Sequence, residues 1–360
     1  MNIKHQPDLD EAMSFPNASN TEEYGGLDTV VIENESLRVV VSPEKGADVL
    51  EIRDKKSDVN VLFEAPHNWQ PVDGSYRPSR DTGTAWMDYY PGGWQDCLPF
   101  GGNDPAAAGA EYGIHRESSL LPWDYDVLEE SDDAVAVRFS TELVRYPFAV
   151  DRTLRLDRGS STLSVTESVE NLGTVELPYA WLQHVAYGRP LLADGTRIDL
   201  DGVTVTVDEA PQGESPLAEG ESFEWPTNED GHDMSRIENV DAGIHDLAYL
   251  HDLESGWYAV TNPDLDLGVA VSFDETLFES VWSWRALGGF ESSPFFGRER
   301  VVGLELSTGW PATNPVEAQG EDGTETLNHL EAGETIETEL AVTTYRGRGC
   351  VESYEQVAGE

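Results

Sequence analysis

The sequence predicts an all-β fold, a large antiparallel β-sandwich with little helix, on three observations. Apolar residues, Thr and aromatics recur at every second position along most of the chain, the period of a strand with one buried face. Turn residues punctuate these runs. Helical periodicity is nearly absent. Regular strands with so little helix must cover their apolar faces with a second sheet, which is the sandwich arrangement.

The strands are read in order from SLRVVVSP (36–43) and DVLEIRD (48–54), through DAVAVRFSTEL (133–143) and STLSVTESVEN (161–171), to TRIDLDGVTVTVD (196–208). GWYAVTNP (256–263), LGVAVSFDE (267–275) and TIETELAVTTY (335–345) complete the pattern. Between them lie Pro43-Glu44-Lys45-Gly46, Asp157-Arg158-Gly159, Asp201-Gly202, Asn262-Pro263-Asp264 and Ala332-Gly333, each with turn chemistry. Neither an internal repeat nor a Pro- or Ser-rich linker interrupts the series. The expected division is a partly irregular segment over 1–27, one sandwich domain over 28–346 and a polar tail over 347–360. Three segments break the alternation. Residues 64–113 hold Trp69, Trp86 and Trp94 and read as an ordered wall of a site. Residues 208–244 read as a solvated acidic excursion, and 285–300 are rich in Gly and Arg.

Charge bounds the partners. Of 360 residues 69 are Asp or Glu and 22 are Lys or Arg, a formal net charge of −47. Only Lys4, Lys45, Lys55 and Lys56 are lysines. Such a surface repels itself in dilute buffer and is relieved when molar salt shortens the Debye length to about 3 Å. The composition therefore reads as halophilic. It argues against a nucleic acid partner and against an anionic membrane. Ten Trp, thirteen Tyr and eleven Phe supply a core that a disordered acidic chain would lack. The start, MNIKHQPDLDEAMSF, has no apolar export signal, the expectation for a cytoplasmic protein. Cys97 and Cys350 make no disulfide framework.

Two of the eight histidines have distinctive settings. His184 lies in LPYAWLQHVAYGRP beside Tyr179, Trp181 and Tyr187, and His115 lies in EYGIHRESSLLPW at the exit of the Gly-rich segment. Glu305 sits in RVVGLELSTGWP among strongly apolar neighbours. Strand parity puts Val301, Gly303 and Glu305 on one face and Val302, Leu304 and Leu306 on the other. A carboxyl in that setting is pushed toward the pKa of a general base. Histidines beside aspartates at 232–233, 245–246 and 251–252 offer metal-ligand types without ligand spacing, so no metal site and no cofactor are expected.

The order of these blocks resembles the aldose 1-epimerases, or mutarotases, of the galactose-mutarotase-like superfamily. GGWQDCLPFGG with YGIHRESSLLPW resembles the first block, ESVENLGTVELPYAWLQHVAYG the second and GLELSTGWP the third. VWSWRALGG resembles the Trp-bearing strand before the last block, and LEAGETIETELAVTTYRG the closing strand. The likeness covers roughly residues 28–346. It implies an isomerase that interconverts the anomers of a sugar. Glu305 would be the base and His184 the acid, with His115 holding charge on the ring oxygen. It further implies substrate contacts from Trp94, Gln95, Trp282 and Trp284, with Arg80 and Arg116 as candidate sugar-binding arginines and Asp246 as the intervening aspartate. His115 is followed by Arg116 where the family has Gly, and QHVAYG replaces the better-known asparagine-histidine-phenylalanine form.

Other readings stay open at this point. They are a binding or sensing protein on the same scaffold, a hydrolase using Glu305 and an Asp, and an epimerase for a sugar phosphate or acid. The last would use Arg116, Arg285, Arg298 and Arg300. A sugar is the expected partner, with the protein a monomer or homodimer. The charge yields the first test: the thermal midpoint should rise steeply between about 0.1 M and 1 M KCl, followed by circular dichroism. A midpoint indifferent to salt would sink the halophilic reading.

Overall fold

The computed structural model describes residues 17–24, 26–66, 86–102, 106–107, 110–208, 211–311 and 327–358. Two large antiparallel sheets face each other, as the alternation predicts. Among the described residues one has thirteen strands and the other eight. The larger runs from the edge strand Asn17–Tyr24 through Leu27–Glu33, Leu37–Ser42 and Asp48–Asp54 to Trp94–Cys97 and Leu182–Gly188. It continues through Arg300–Ser307, Ser280–Leu287, Ile244–His251 and Thr204–Val207. In the smaller sheet Phe148–Asp157 and Thr162–Asn171 pair side by side, and Thr335–Tyr345 links them to Leu267–Ser272 and Trp257–Asn262. No helix among the described residues is long and apolar enough to cross a membrane.

The core fills the space between the sheets. Val39, Val49, Leu304 and Leu306 from the larger sheet meet Leu154, Val165, Val271 and Leu340 from the smaller. The smaller sheet alternates cleanly, buried and half-buried residues taking turns along Phe148–Asp157. The central strand Leu182–Gly188 is buried at every position, because the larger sheet is covered on both faces around it.

A polar network crosses this core. Arg152 and Glu167 are wholly buried and meet at 2.9 Å, with the guanidinium 4.2 Å above the Trp94 ring. Gln183 Nε2 donates to Glu167 at 2.8 Å and to Asp96 at 3.1 Å, and its Oε1 accepts from Trp94 Nε1 at 2.7 Å. Trp181 Nε1 donates to Asp96 at 3.0 Å. The pair, cross-strand neighbours in the smaller sheet, thus reaches the larger sheet through Gln183 and Trp94 and bridges the two at the level of the central strand.

Two segments differ from the sequence reading. Residues 208–244, expected as a solvated excursion, bury Leu217, Met234, Ile237 and Val240 of their described part in the main core. A scattering of single apolar residues in an acidic run carries no periodic signal, so the anchoring was not legible. The tail past Arg346 is also docked: Val351 and Val357 pack on Trp257, Ala259 and Tyr345. Cys97 is buried and Cys350 exposed, both as free thiols.

The bridging pair yields a stability test. Arg152→Met leaves Glu167 buried without a counter-charge, an expected loss of about 3–5 kcal/mol, seen as a lower urea midpoint in molar KCl. Arg152→Met with Glu167→Leu should regain most of it. An unchanged midpoint in the single variant would refute the bridging role.

Candidate active site

Strand register assembles the site on the outer face of the larger sheet. His184 is the cross-strand partner of Gln95. Gln183 pairs with Leu306 and Ala186 with Gly303, which brings His184 alongside Glu305. Glu305 pairs with Trp282, and Trp282 with Tyr249. One row of side chains therefore crosses five strands on a single face, while Gln183 and Leu306 point into the core.

This face opens into a cavity of about 240 Å³, lined by His115, His184, His245 and Glu305 and by an apolar wall that includes Trp282, Trp284, Leu247 and Phe290. His184 Nε2 and Glu305 Oε1 lie 3.4 Å apart, both nearly inaccessible. The His115 and His184 rings are 5.1 Å apart between centroids, in edge-to-face contact. Trp86 and Tyr90 hold them from behind: Trp86 stands 4.7 Å from His115, and Tyr90 meets His184 edge-on at 5.4 Å.

His115 belongs to a turn with a positive φ of 52°, a conformation costly to a residue with a β-carbon and frequent at functional sites. Its Nδ1 accepts the Gly102 N–H at 3.1 Å. That bond leaves the hydrogen of the neutral ring on Nε2, free to donate. Gly303 serves Glu305 directly, since a β-carbon there would lie 2.5 Å from the Glu305 Oε1. The carboxyl lies back over the space a side chain would fill.

Burial sets the protonation of the group. It pushes Glu305 well above the usual carboxylate range. It pushes His184 down to about 4, with the charge of Lys45 acting in the same direction. His115 is held well below its ordinary value by burial and by His184. His245 is also lowered by burial, against the pull of Asp246. At neutral pH the cavity therefore presents neutral imidazoles beside a carboxyl that resists ionisation.

The structure brings together Glu305, His184, His115, Trp282 and Trp284. None of the other candidates that are described lines the cavity. Trp94 lies in the core beneath Arg152. Gln95 lies on the correct face but is fully buried, donating to Gly92 O at 2.5 Å and Asp48 at 3.3 Å. Arg116 is buried outside the cavity lining. Asp246 faces the opposite side of its strand, where Arg285 grips it with bonds of 2.8 and 2.7 Å. Its neighbour His245 takes the cavity position, stacked on Phe290 at 4.4 Å. Arg80 lies outside the described residues. His245, Phe290 and Leu247 were not anticipated as parts of the site, whereas Trp86 and Tyr90 belong to the segment 64–113 that was read as a wall of a site. The alternation of GIHDLAYLHD could have found His245, because one residue separates the two faces.

Comparison with known proteins places the fold. The fold is shared with a candidate aldose 1-epimerase from Klebsiella pneumoniae subsp. pneumoniae, at 16% identity and a TM-score of 0.67 over 91% of this chain and 83% of that one. It is shared with a galactose mutarotase-like protein from Clostridium acetobutylicum, at 14% identity and a TM-score of 0.62 over 92% and 98% of the two chains. A candidate aldose 1-epimerase from Escherichia coli matches at 18% identity and a TM-score of 0.58, over 88% and 98%. At such identities the likeness is one of fold, the galactose-mutarotase-like β-sandwich. No curated protein matches the sequence. The model of the family described as Domain of unknown function (DUF4432) matches residues 24–344, most of the sandwich, and the protein belongs to that family.

Proposed function

We propose that the protein is an isomerase of the aldose 1-epimerase type, interconverting the α and β anomers of an uncharged sugar. The observation that carries this reading is the 3.4 Å approach of His184 Nε2 to Glu305 Oε1 in a cavity that His115 also lines. The opposed shifts favour a proton on Glu305 over one on His184, and at this separation it can pass between the two groups. With the proton on His184, Glu305 is a base and His184 an acid. Glu305 takes the proton of the C1 hydroxyl while His184 gives one to the ring oxygen, so the C1–oxygen ring bond breaks. The open aldehyde turns about C1–C2 and closes on its other face as the two protons return. His115 donates from Nε2 to the ring oxygen, and Trp282 and Trp284 offer apolar faces to the pyranose. His245 is the one further imidazole on the wall, suited to bond a distal hydroxyl.

The phosphate or acid variant has less support, because three of its four arginines are engaged elsewhere and Arg116 lies outside the cavity lining. Arg285 holds Asp246, Arg298 caps the carbonyls of Phe295 and Pro294, and Arg300 binds Asp241. Hydrolysis by paired carboxylates needs two, and Glu305 is the only carboxylate among the described residues of the lining.

Fresh α-glucose, α-galactose and α-xylose should equilibrate faster with protein than without, by polarimetry or NMR in molar KCl. Glu305→Gln and His184→Asn should each lower that excess rate by about 10²- to 10⁴-fold. Unchanged equilibration across a broad sugar panel would leave the binding-protein reading in place. Gly303→Ala should mimic Glu305→Gln while the protein stays folded, since the new methyl displaces the carboxyl.

The pH dependence follows from the same shifts. A second proton enters the pair only near pH 4, where His184 titrates, so the rate should fall on the acid side there. On the alkaline side it should fall as the pair gives up its remaining proton, at a pH raised by the burial of Glu305. An acid limb at 6.5, the ordinary histidine value, would contradict this assignment.

A further inference from the structure

A chain that has nearly abandoned lysine keeps one of its four wholly inside the fold. Lys45 and Asp48 are both at 0% exposure and are ion-paired through Nζ and Oδ2. Desolvating an ammonium costs several kcal/mol unless close pairing offsets it, so a buried lysine in so acidic a protein calls for a reason. Its surroundings supply one. Lys45 Nζ also donates to the Ser119 carbonyl at 3.1 Å. Ser119 Oγ in turn donates to the His115 carbonyl and accepts Trp86 Nε1 at 3.3 Å. On the other side Asp48 Oδ2 accepts Gln95 Nε2 at 3.3 Å, and Gln95 is the cross-strand neighbour of His184. The pair therefore reaches, at one remove, two of the three histidines that line the cavity, His115 and His184.

The turn that carries Lys45 is shaped for this contact. Gly46 has φ +66°, and a β-carbon there would lie 2.6 Å from the Ser119 carbonyl oxygen and 2.5 Å from Asp48 Oδ1. Its N–H donates to the Leu121 carbonyl at 2.7 Å, clamping the turn onto the segment that follows His115. Neither Lys45 nor Asp48 lines the cavity, so neither can touch a substrate there.

We propose that the Lys45–Asp48 pair is a positioning element, pinning the His115 segment to the His184 strand and setting the charge felt by the His184 imidazole. His184 is faced by Glu305 from its neighbouring strand, by His115 and Tyr90 from the loops, and by Lys45. Asp48 is faced by Lys45 and Gln95, with Arg152 at longer range. Burial pushes Asp48 up to about 6 against the pull of Lys45. In the pH range where His184 takes its proton, the lysine charge is therefore the one left uncompensated. Removing it should ease protonation of the ring.

The kinetic part of the test rests on the epimerase reading, whereas the titration part does not. Lys45→Met and the uncharged double variant Lys45→Met/Asp48→Asn are compared with the full wild-type chain in molar KCl. Histidine NMR should place the His184 midpoint about one unit higher in both variants. The rate constant for anomer exchange should fall about tenfold to a hundredfold, while KM changes less than about twofold, as misplacement of an acid predicts. The double variant leaves no buried charge unpaired and should melt near the wild type, so it decides the matter if the single variant fails to fold. A folded double variant with the wild-type His184 midpoint and wild-type exchange rate would overturn the proposal. If the wild type exchanges no anomers, the epimerase reading fails while the midpoint still tests the pair.

Discussion

The fold hangs on a charge pair taken wholly out of water. Arg152 and Glu167 meet between the sheets, and the carboxylate passes the interaction on to Gln183 and through it to Asp96 and Trp94. An apolar interior would tolerate some sliding of one sheet over the other. A directional network does not, because any slip leaves buried polar atoms without partners. The pair is therefore a specifier of alignment as much as a source of stability.

That alignment fixes the chemistry. Gln183 and His184 are adjacent on one strand and point to opposite faces, one into the network and one into the cavity. A slip of one residue would exchange them and carry the row from Gln95 to Tyr249 out of line. The network behind the strand thus holds the imidazole in front of it, within reach of Glu305 on the next strand. The opposed displacements of their proton affinities share one cause, since the same lack of water disfavours a carboxylate and an imidazolium alike. A sugar that replaces water with its own hydroxyls would meet a pair poised to move its proton.

Much of this was legible in the sequence, and the reasons are local. Sandwich architecture follows from alternation, and Glu305 stood out because its strand has larger apolar residues on the opposite parity. His184 and His115 were found through their aromatic settings and through the resemblance. Trp94 and Asp246 went astray for a common reason. In strands covered on both faces, composition no longer says which parity looks into the core and which into the cavity. Trp94 fell on the core side, and one step of parity separates Asp246, bound to Arg285, from His245 in the wall. The anchoring of 211–244 and the docked tail depend on contacts far apart in sequence, which no local pattern encodes. Lys45 was visible only as a rare residue in a turn; its burial became apparent with the segment that covers it.

The strand Leu182–Gly188 has no face left to solvent, and this bears on how the protein can change over time. Elsewhere the surface can exchange one carboxylate for another, or shed them as the surrounding salt changes, with little effect on the interior. On this strand His184 answers to the cavity and every other position to packing on one face or the other, so substitutions of either parity are felt. Adaptation to a new medium and adaptation to a new substrate are thereby assigned to different parts of the molecule: the first can drift across the surface, and the second must pass through the residues that face this one strand.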